Sequence, residues 1–263
     1  TASYNGARML PTTSNGQLVL SSNLDILPIS SHHSYVDYWG TRVSAFEILT
    51  PHRELSLTAT SVVEVRPRTH PRHGLTWETL ADTIETRTEY VEQLAQTRLT
   101  QPPEELAALA REALTASDSP CDVALDIARL VGERIEYVPG ATSVHSTAAE
   151  AWDKKKGVCQ DLAHLAIGAL RSVGIPARYV SGYLHPIPDA EIGMPVEGES
   201  HAWVEWFCGS WRGFDPTNLI EIGDRHVRVG HGRHSEDLAP LPGVYSRPNS
   251  STLFVRVEIT REG

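Results

Sequence analysis

Three residues in this chain have the types and the order that covalent acyl transfer needs: Cys159, His201 and Asp215. Cys159 follows Gly157-Val158 and opens a segment whose apolar residues step by three and four, so it falls at the N-terminus of a helix. Free backbone N–H groups and the positive end of the helix dipole favour a thiolate there, and the thiolate is the attacking species. The Cys159 N–H itself could donate to an oxyanion. His201 begins the alternating run Ala202-Trp203-Val204-Glu205-Trp206, and Asp215 closes Trp211-Arg212-Gly213-Phe214. A turn at Cys208-Gly209-Ser210 would fold these two runs into adjacent strands and bring the imidazole beside the carboxylate. The acid would then fix the tautomer while the other ring nitrogen faces the sulfur. Each residue alone has a plainer reading, as a packed cysteine, a hydrogen-bonded histidine or an Asp-Pro turn. Their combination on these elements is what points to chemistry.

Around these three, the sequence supplies the elements that would position them. Pro102-Pro103-Glu104-Glu105 opens a helix carrying Leu106, Leu109, Ala110 and Leu114. A second helix begins near Ser119-Pro120 and runs to about Gly132–Arg134, and residues 135–138 read as a short strand. Ser146 or Thr147 caps a third helix through Trp152. From Cys159 to Val173 the residues Leu162, Leu165, Ala166, Ala169, Leu170 and Val173 predict one buried helix face, stopped by Gly174 and Pro176. Residues 177–184, 201–207, 211–215 and 252–260 then read as strands, so helices followed by strands give an α+β domain. The first third reads as β-structure, with extended runs at 16–20, 24–26, 41–48 and 55–65, as in a sandwich or half-barrel. His70-Pro71-Arg72-His73-Gly74 reads as a linker, giving a β-sandwich-like domain at 1–75 and a catalytic domain at 76–263.

Four segments carry a resemblance. Gly157 to His164, Gly174 to Leu184, Ser200 to Glu205 and Asp215-Pro216-Thr217-Asn218 resemble the core of bacterial transglutaminase-like proteins. Asn5-Gly6-Ala7-Arg8-Met9-Leu10-Pro11 and Pro51 to Leu55 resemble the β-domain preceding that core. Val227 to Arg233 and Gly243-Val244-Tyr245-Ser246 resemble the tail. The resemblance implies a papain-like fold, helices packed on an antiparallel sheet after a β-rich N-terminal domain, with Cys159, His201 and Asp215 as its triad. It also implies a further strand ahead of Asn5. Members include transglutaminases, peptidases and other amide-handling enzymes. The expected activity is therefore a cysteine peptidase or amidase working through a thioester. The alternatives are a transglutaminase that passes the acyl group to an amine, or a binding module that keeps only the fold.

The remaining candidates are peripheral. Gln160, Trp203, Tyr183 and Asn218 could line the cleft or donate to substrate, and His231 could do so from a glycine-rich loop. A metal held by His226, His231 and His234 is disfavoured, because no cysteine or close carboxylate completes the set. Asp161 either complements the helix dipole or orients a neighbour; the first is favoured, since a carboxylate beside the sulfur opposes the thiolate. His164, off the helix face that Cys159 occupies, suits a structural hydrogen bond.

The 263 residues carry a net charge of -10, with 23 basic against 33 acidic side chains, and Lys154-Lys155-Lys156 is the one basic run. That balance excludes nucleic acid and anionic membranes as partners and leaves a peptide or protein substrate. No cofactor is called for, and there is no apolar run long enough to span a bilayer. Cys121, Cys159 and Cys208 form an odd set without CxxC spacing, so Cys121 and Cys208 read as inert small residues in a reducing compartment. No secretory signal opens the chain, and the expected location is the cytoplasm.

Overall fold

The structure is a computed structural model of the chain and describes residues 3–14, 16–28, 31–50, 52–66, 74–245 and 253–263. Five strands come first: β1 (Ser3–Ala7), β2 (Gln17–Leu27), β3 (His32–Val36), β4 (Arg42–Ile48) and β5 (Ser56–Val65). Helices α1 (Trp77–Thr86), α2 (Val91–Leu94), α3 (Glu104–Ala113) and α4 (Pro120–Arg134) follow. Next come β6 (Glu136–Tyr137), α5 (Ala148–Lys154), β7 (Lys156–Gly157) and α6 (Cys159–Ser172). The remaining strands are β8 (Ala177–Leu184), β9 (Pro195–Phe207), β10 (Trp211–Asp215), β11 (Ile220–Glu221), β12 (His226–Gly232), β13 (Gly243–Tyr245) and β14 (Val257–Thr260).

The central sheet has the order β11-β10-β9-β8-β12, antiparallel throughout, with β14 paired to the first half of β9. A four-stranded sheet, β13-β1-β4-β3, and the β2–β5 pair form the N-terminal part. β13 belongs to the tail yet pairs with β1, so the C-terminal segment returns to complete the N-terminal sheet. The expected α+β class, helices on an antiparallel sheet behind a β-rich start, is what the structure has.

The core explains why α6 sits at its centre. Ala177, Tyr179, Ala202, Val204, Trp206 and Phe214 on the sheet pack with Leu106, Ile127, Trp152 and Leu165 from the helices. Every residue of α6 from Asp161 to Arg171 is buried, so the helix is enclosed on all sides rather than on the single face its periodicity predicts. α3, α4 and α5 surround it. Arg171 fixes its far end: the guanidinium donates to the carbonyls of Gln93, Ala95, Ala177 and Arg233, and burial lowers its pKa to about 9, so it remains a cation at neutral pH. Gly174, at φ +81°, provides the left-handed turn into β8.

Several expectations change in detail. The two runs expected at 16–20 and 24–26 are one strand, β2, whose pairing with β5 shifts between Val19 and Ser21. α1 was not expected, although Thr76 accepts from the Thr79 N–H and Leu80 and Ile84 face the core. The expected final strand begins only at Val257; Thr252 lies outside the described residues, as do residues 70–73 of the expected linker. Residues 226–232 form strand β12 of the central sheet rather than a glycine-rich loop. The largest correction concerns the cysteines. Cys121 and Cys208 are joined in a disulfide, Cα to Cα 5.5 Å, which ties the first turn of α4 to the β9–β10 turn. At a sequence separation of 87, nothing local marked the pair.

Candidate active site

Val158 has extended backbone and Cys159 is the first helical residue of α6. Asp161 shapes this entry: its buried carboxylate accepts from the Val158 N–H at 2.8 Å and from the Thr142 hydroxyl at 2.5 Å. Burial raises its pKa, and those two donors offset part of the rise. Asp161 therefore caps the helix and holds the loop before Cys159; it touches neither His201 nor Asp215. Cys159 is the free cysteine of the described chain and is partly exposed.

β9 and β10 pair as a hairpin, with Trp211 opposite Phe207 and Phe214 opposite Val204. One further step sets Asp215 opposite Trp203, and therefore on the same face as His201 two residues away. His201 Nε2 lies 2.7 Å from Asp215 Oδ2, with both residues buried. The Cys159 side chain lies close enough to help raise the His201 pKa, and with Nε2 committed to the carboxylate Nδ1 is the ring nitrogen left for the sulfur. Burial works against a charged His201, but the bonds to Asp215 and Cys159 prevail and raise its pKa to about 10. For Asp215, burial would favour the neutral acid. Its contacts with His201 and His226 and the bond from Asn218 outweigh that, and its pKa falls well below the usual carboxylate range. Asp215 Oδ1 also takes the N–H groups of Thr217 (2.9 Å) and Asn218 (3.2 Å), and Oδ2 takes Asn218 Nδ2 at 2.7 Å.

The other expected residues disperse. Asn218 reaches the acid. Trp203 is buried between His201 and His226, with ring centroids 6.5 and 5.3 Å away. Gln160 donates to the Val144 carbonyl at 3.1 Å. Tyr183 spends its hydroxyl on the Met9 carbonyl at 2.8 Å, joining β8 to the N-terminal part. His231 contacts Arg228, beside the pair of Arg178 and Glu205. Burial and those two arginines lower its pKa to about 3. His164 accepts from the Ser235 N–H at 3.1 Å, and burial holds it neutral with a pKa of about 3, the structural role expected. His226, His231 and His234 separate to three environments, and no group of three metal-ligating side chains occurs among the described residues.

Two neighbours of Cys159 and Asp215 were not foreseen. Tyr137, on β6 opposite Gly157, feels Cys159 and Glu199; burial first, then these charges, raise its pKa. His226, expected only as part of a metal cluster, stands with Nε2 3.5 Å from Asp215 Oδ2. Neither position carries a local motif.

A cysteine at the start of an enclosed helix, close to a histidine that is hydrogen-bonded to an acid on an antiparallel sheet, is an arrangement found in thiol-dependent enzymes. Comparisons with known proteins agree. Residues 107–216, which hold all three residues, match the transglutaminase-like superfamily, and residues 1–64 match the bacterial transglutaminase-like N-terminal region. An uncharacterised protein of Mycobacterium leprae is 41% identical over 261 residues, covering 99% of this chain and 93% of that one. One from Mycobacterium tuberculosis is 31% identical, covering 98% and 87%. A protein-glutamine gamma-glutamyltransferase of Pseudomonas aeruginosa is 31% identical over 112 residues, 39% of this chain and 17% of that one. The crystal structure of a candidate cysteine protease from Cytophaga hutchinsonii shares the fold with a TM-score of 0.80 at 22% identity, over 100% of this chain and 86% of that one. The chain belongs to the transglutaminase-like superfamily, with the N-terminal region of its bacterial members.

Proposed function

We propose that this protein cleaves or transfers amide-linked acyl groups through a Cys159–His201–Asp215 triad, with hydrolysis as the outcome in water. The observation that carries the reading is His201, bonded to the Asp215 carboxylate at 2.7 Å and close to the Cys159 side chain at the start of α6. An imidazolium with a pKa of about 10 is the partner that an attacking thiolate requires. The thiolate attacks the amide carbonyl, and the carbonyl π electrons move to oxygen. Backbone N–H groups at the helix start, that of Cys159 first, stabilise this oxyanion. As the C–N bond breaks, Nδ1 of His201 gives its proton to the leaving amine and a thioester remains. Neutral His201 then takes a proton from water as its oxygen attacks the thioester, and the thiolate returns with release of a carboxylic acid. Asp215 stays ionised throughout and stabilises the imidazolium.

The likeness to a gamma-glutamyltransferase supports a second ending, in which a primary amine replaces water and the product is a new amide. Incubation of a glutamine-containing peptide with excess primary amine separates them by mass: the amine adduct marks transfer, deamidation or cleavage marks hydrolysis. The reading fails if Cys159→Ala, His201→Ala and the unmodified protein are equally active, or if iodoacetamide alkylates Cys159 no faster than an exposed cysteine of an unfolded peptide. The Cys121–Cys208 disulfide supports an oxidising setting, not the reducing one that the odd cysteine count suggested.

A further inference from the structure

The triad acid has more than one histidine. His226 projects from β12 and is buried. Its Nδ1 accepts from the Gly223 N–H at 3.4 Å, so the ring proton sits on Nε2. That Nε2 has no hydrogen-bond partner among the described residues, and the atom it approaches is Asp215 Oδ2, 3.5 Å away. The separation is that of an unclosed hydrogen bond, of the kind that tightens when substrate binds. Trp203, edge-on to the ring at 5.3 Å, fixes the plane.

We infer that His226 is a positioning residue for the proposed reaction, donating from Nε2 to the same carboxylate oxygen that holds His201 and so limiting how strongly Asp215 retains the imidazolium. An acid that must release its proton to a leaving amine works best when it is not over-stabilised. A second donor on Oδ2 withdraws charge from that oxygen while keeping the carboxylate ionised and oriented. The titratable groups facing the pair are His201 from β9, His226 from β12 and, through His201, Cys159 from α6; Tyr137 lies near Cys159, with Glu199 near Tyr137.

The N-terminal part reaches this residue. Gln17 on β2 donates to the Arg228 carbonyl at 2.8 Å and accepts the Arg228 N–H at 2.7 Å, bridging to β12 two residues beyond His226. The β12–β8 register shifts between Arg228 and Gly230, so Gln17 takes up backbone groups at an irregular place in the ladder. A cavity at this seam is lined by Gln17, Val65, Trp203, His226 and Arg228. The β-rich start therefore buttresses the strand that carries the second histidine.

The inference rests on the triad reading, and two substitutions isolate it. His226→Asn keeps an acceptor for the Gly223 N–H but is too short to reach Asp215; His226→Gln places an N–H near the position of Nε2. With the glutamine peptide as substrate, the Asn variant is expected to lose about tenfold in kcat with KM unchanged, a small part of what general acid–base catalysis supplies. Its alkaline limb of kcat/KM should move upward, because His201 is held more tightly. The Gln variant should recover both. Equal losses in the two variants, or a limb that stays or moves down, would overturn the inference and leave His226 a packing residue. Ring-nitrogen NMR of the unmodified protein needs no substitution: the proton is expected on Nε2, and a proton on Nδ1 refutes the arrangement. Absence of turnover by the unmodified protein would instead be failure of the triad reading, with the tautomer still deciding about His226.

Discussion

At the scale of single residues, the site is a contest between burial and hydrogen bonding. Asp215 is wholly buried, which opposes its charge, yet two backbone N–H groups, the Asn218 amide and His201 all point at it. Its pKa is lowered and that of His201 is raised from 6.5 to about 10. Asp215→Asn removes the largest support of the imidazolium, so the alkaline limb of kcat/KM should descend from near 10 toward neutrality, and kcat should fall by roughly two orders of magnitude. A pH–rate series on the two proteins measures both. Stability follows the same signs. The raised histidine stabilises the fold fully below pH 6.5 and loses that contribution as pH climbs through about 10. The depressed carboxylate contributes above 3.8 and loses its share as pH falls toward the folded value. The melting-temperature gap between native protein and Asp215→Asn should thus be widest from about pH 4 to 6.5 and narrow on either side. Cys159 and Asp215 were legible because each sits where an element begins or ends, beside Gly or Pro, and His201 because it opens a strand alternation, although β9 itself begins at Pro195. His226 and Tyr137 were not, because they come from β12 and β6, whose places beside the triad are set by tertiary pairing.

At the scale of elements, the site depends on close approaches that only certain residues allow. Gly132, in the last turn of α4, lies so near the Asp215-Pro216 turn that a Cβ there would stand 2.2 Å from the Pro216 carbonyl oxygen and 2.5 Å from Leu219. Backbone cannot yield as a flexible side chain can, so Gly132→Ala must push α4 away from the segment carrying the acid. We expect a loss of about 1–3 kcal/mol in stability, the range for overpacking a filled core, read as a lower urea midpoint at unchanged slope. A fall in kcat should accompany it; unchanged kcat would show that the acid's position tolerates the shift. This geometry also marks what the sequence could convey about elements. α3, α4 and α5 were readable because Pro103, Ser119 and Thr147 announce their starts. α6 was readable as a helix but not as a fully enclosed one: its small residues, such as Ala163, Ala166 and Gly168, mark contact with elements far away in the chain. β12 looked like a loop because its glycines at 230 and 232 suggest a turn, whereas they admit Thr41 and Asp237 against the strand.

At the scale of the molecule, two long-range ties hold the site's supports together, one covalent and one polar. The disulfide joins α4 to the hairpin that carries His201 and Asp215. Closing 87 residues, it restricts the unfolded chain by an amount worth roughly 4–5 kcal/mol in the chain-entropy model. The folded protein should therefore present one thiol to a titrant, Cys159, and three after denaturation with reductant. Two further thiols before reduction would show the bond unformed. Paired with that tie is Gln17, whose amide joins the N-terminal β-structure to the strand beneath the acid. If the β-rich start serves only as a separate docking platform, Gln17→Ala should leave turnover of a short peptide intact. If it braces β12, the substitution leaves the half-buried Arg228 N–H and C=O without the Gln17 amide, a loss of about 1–3 kcal/mol. Some of that loss should appear as a lower kcat at unchanged KM, since no substrate contact is removed. Because Gln17 and His226 would then act along one strand, the double variant Gln17→Ala/His226→Asn should lose less activity than the product of the two single losses. A strictly multiplicative result would separate the two residues and reduce the N-terminal part to a contributor of stability alone.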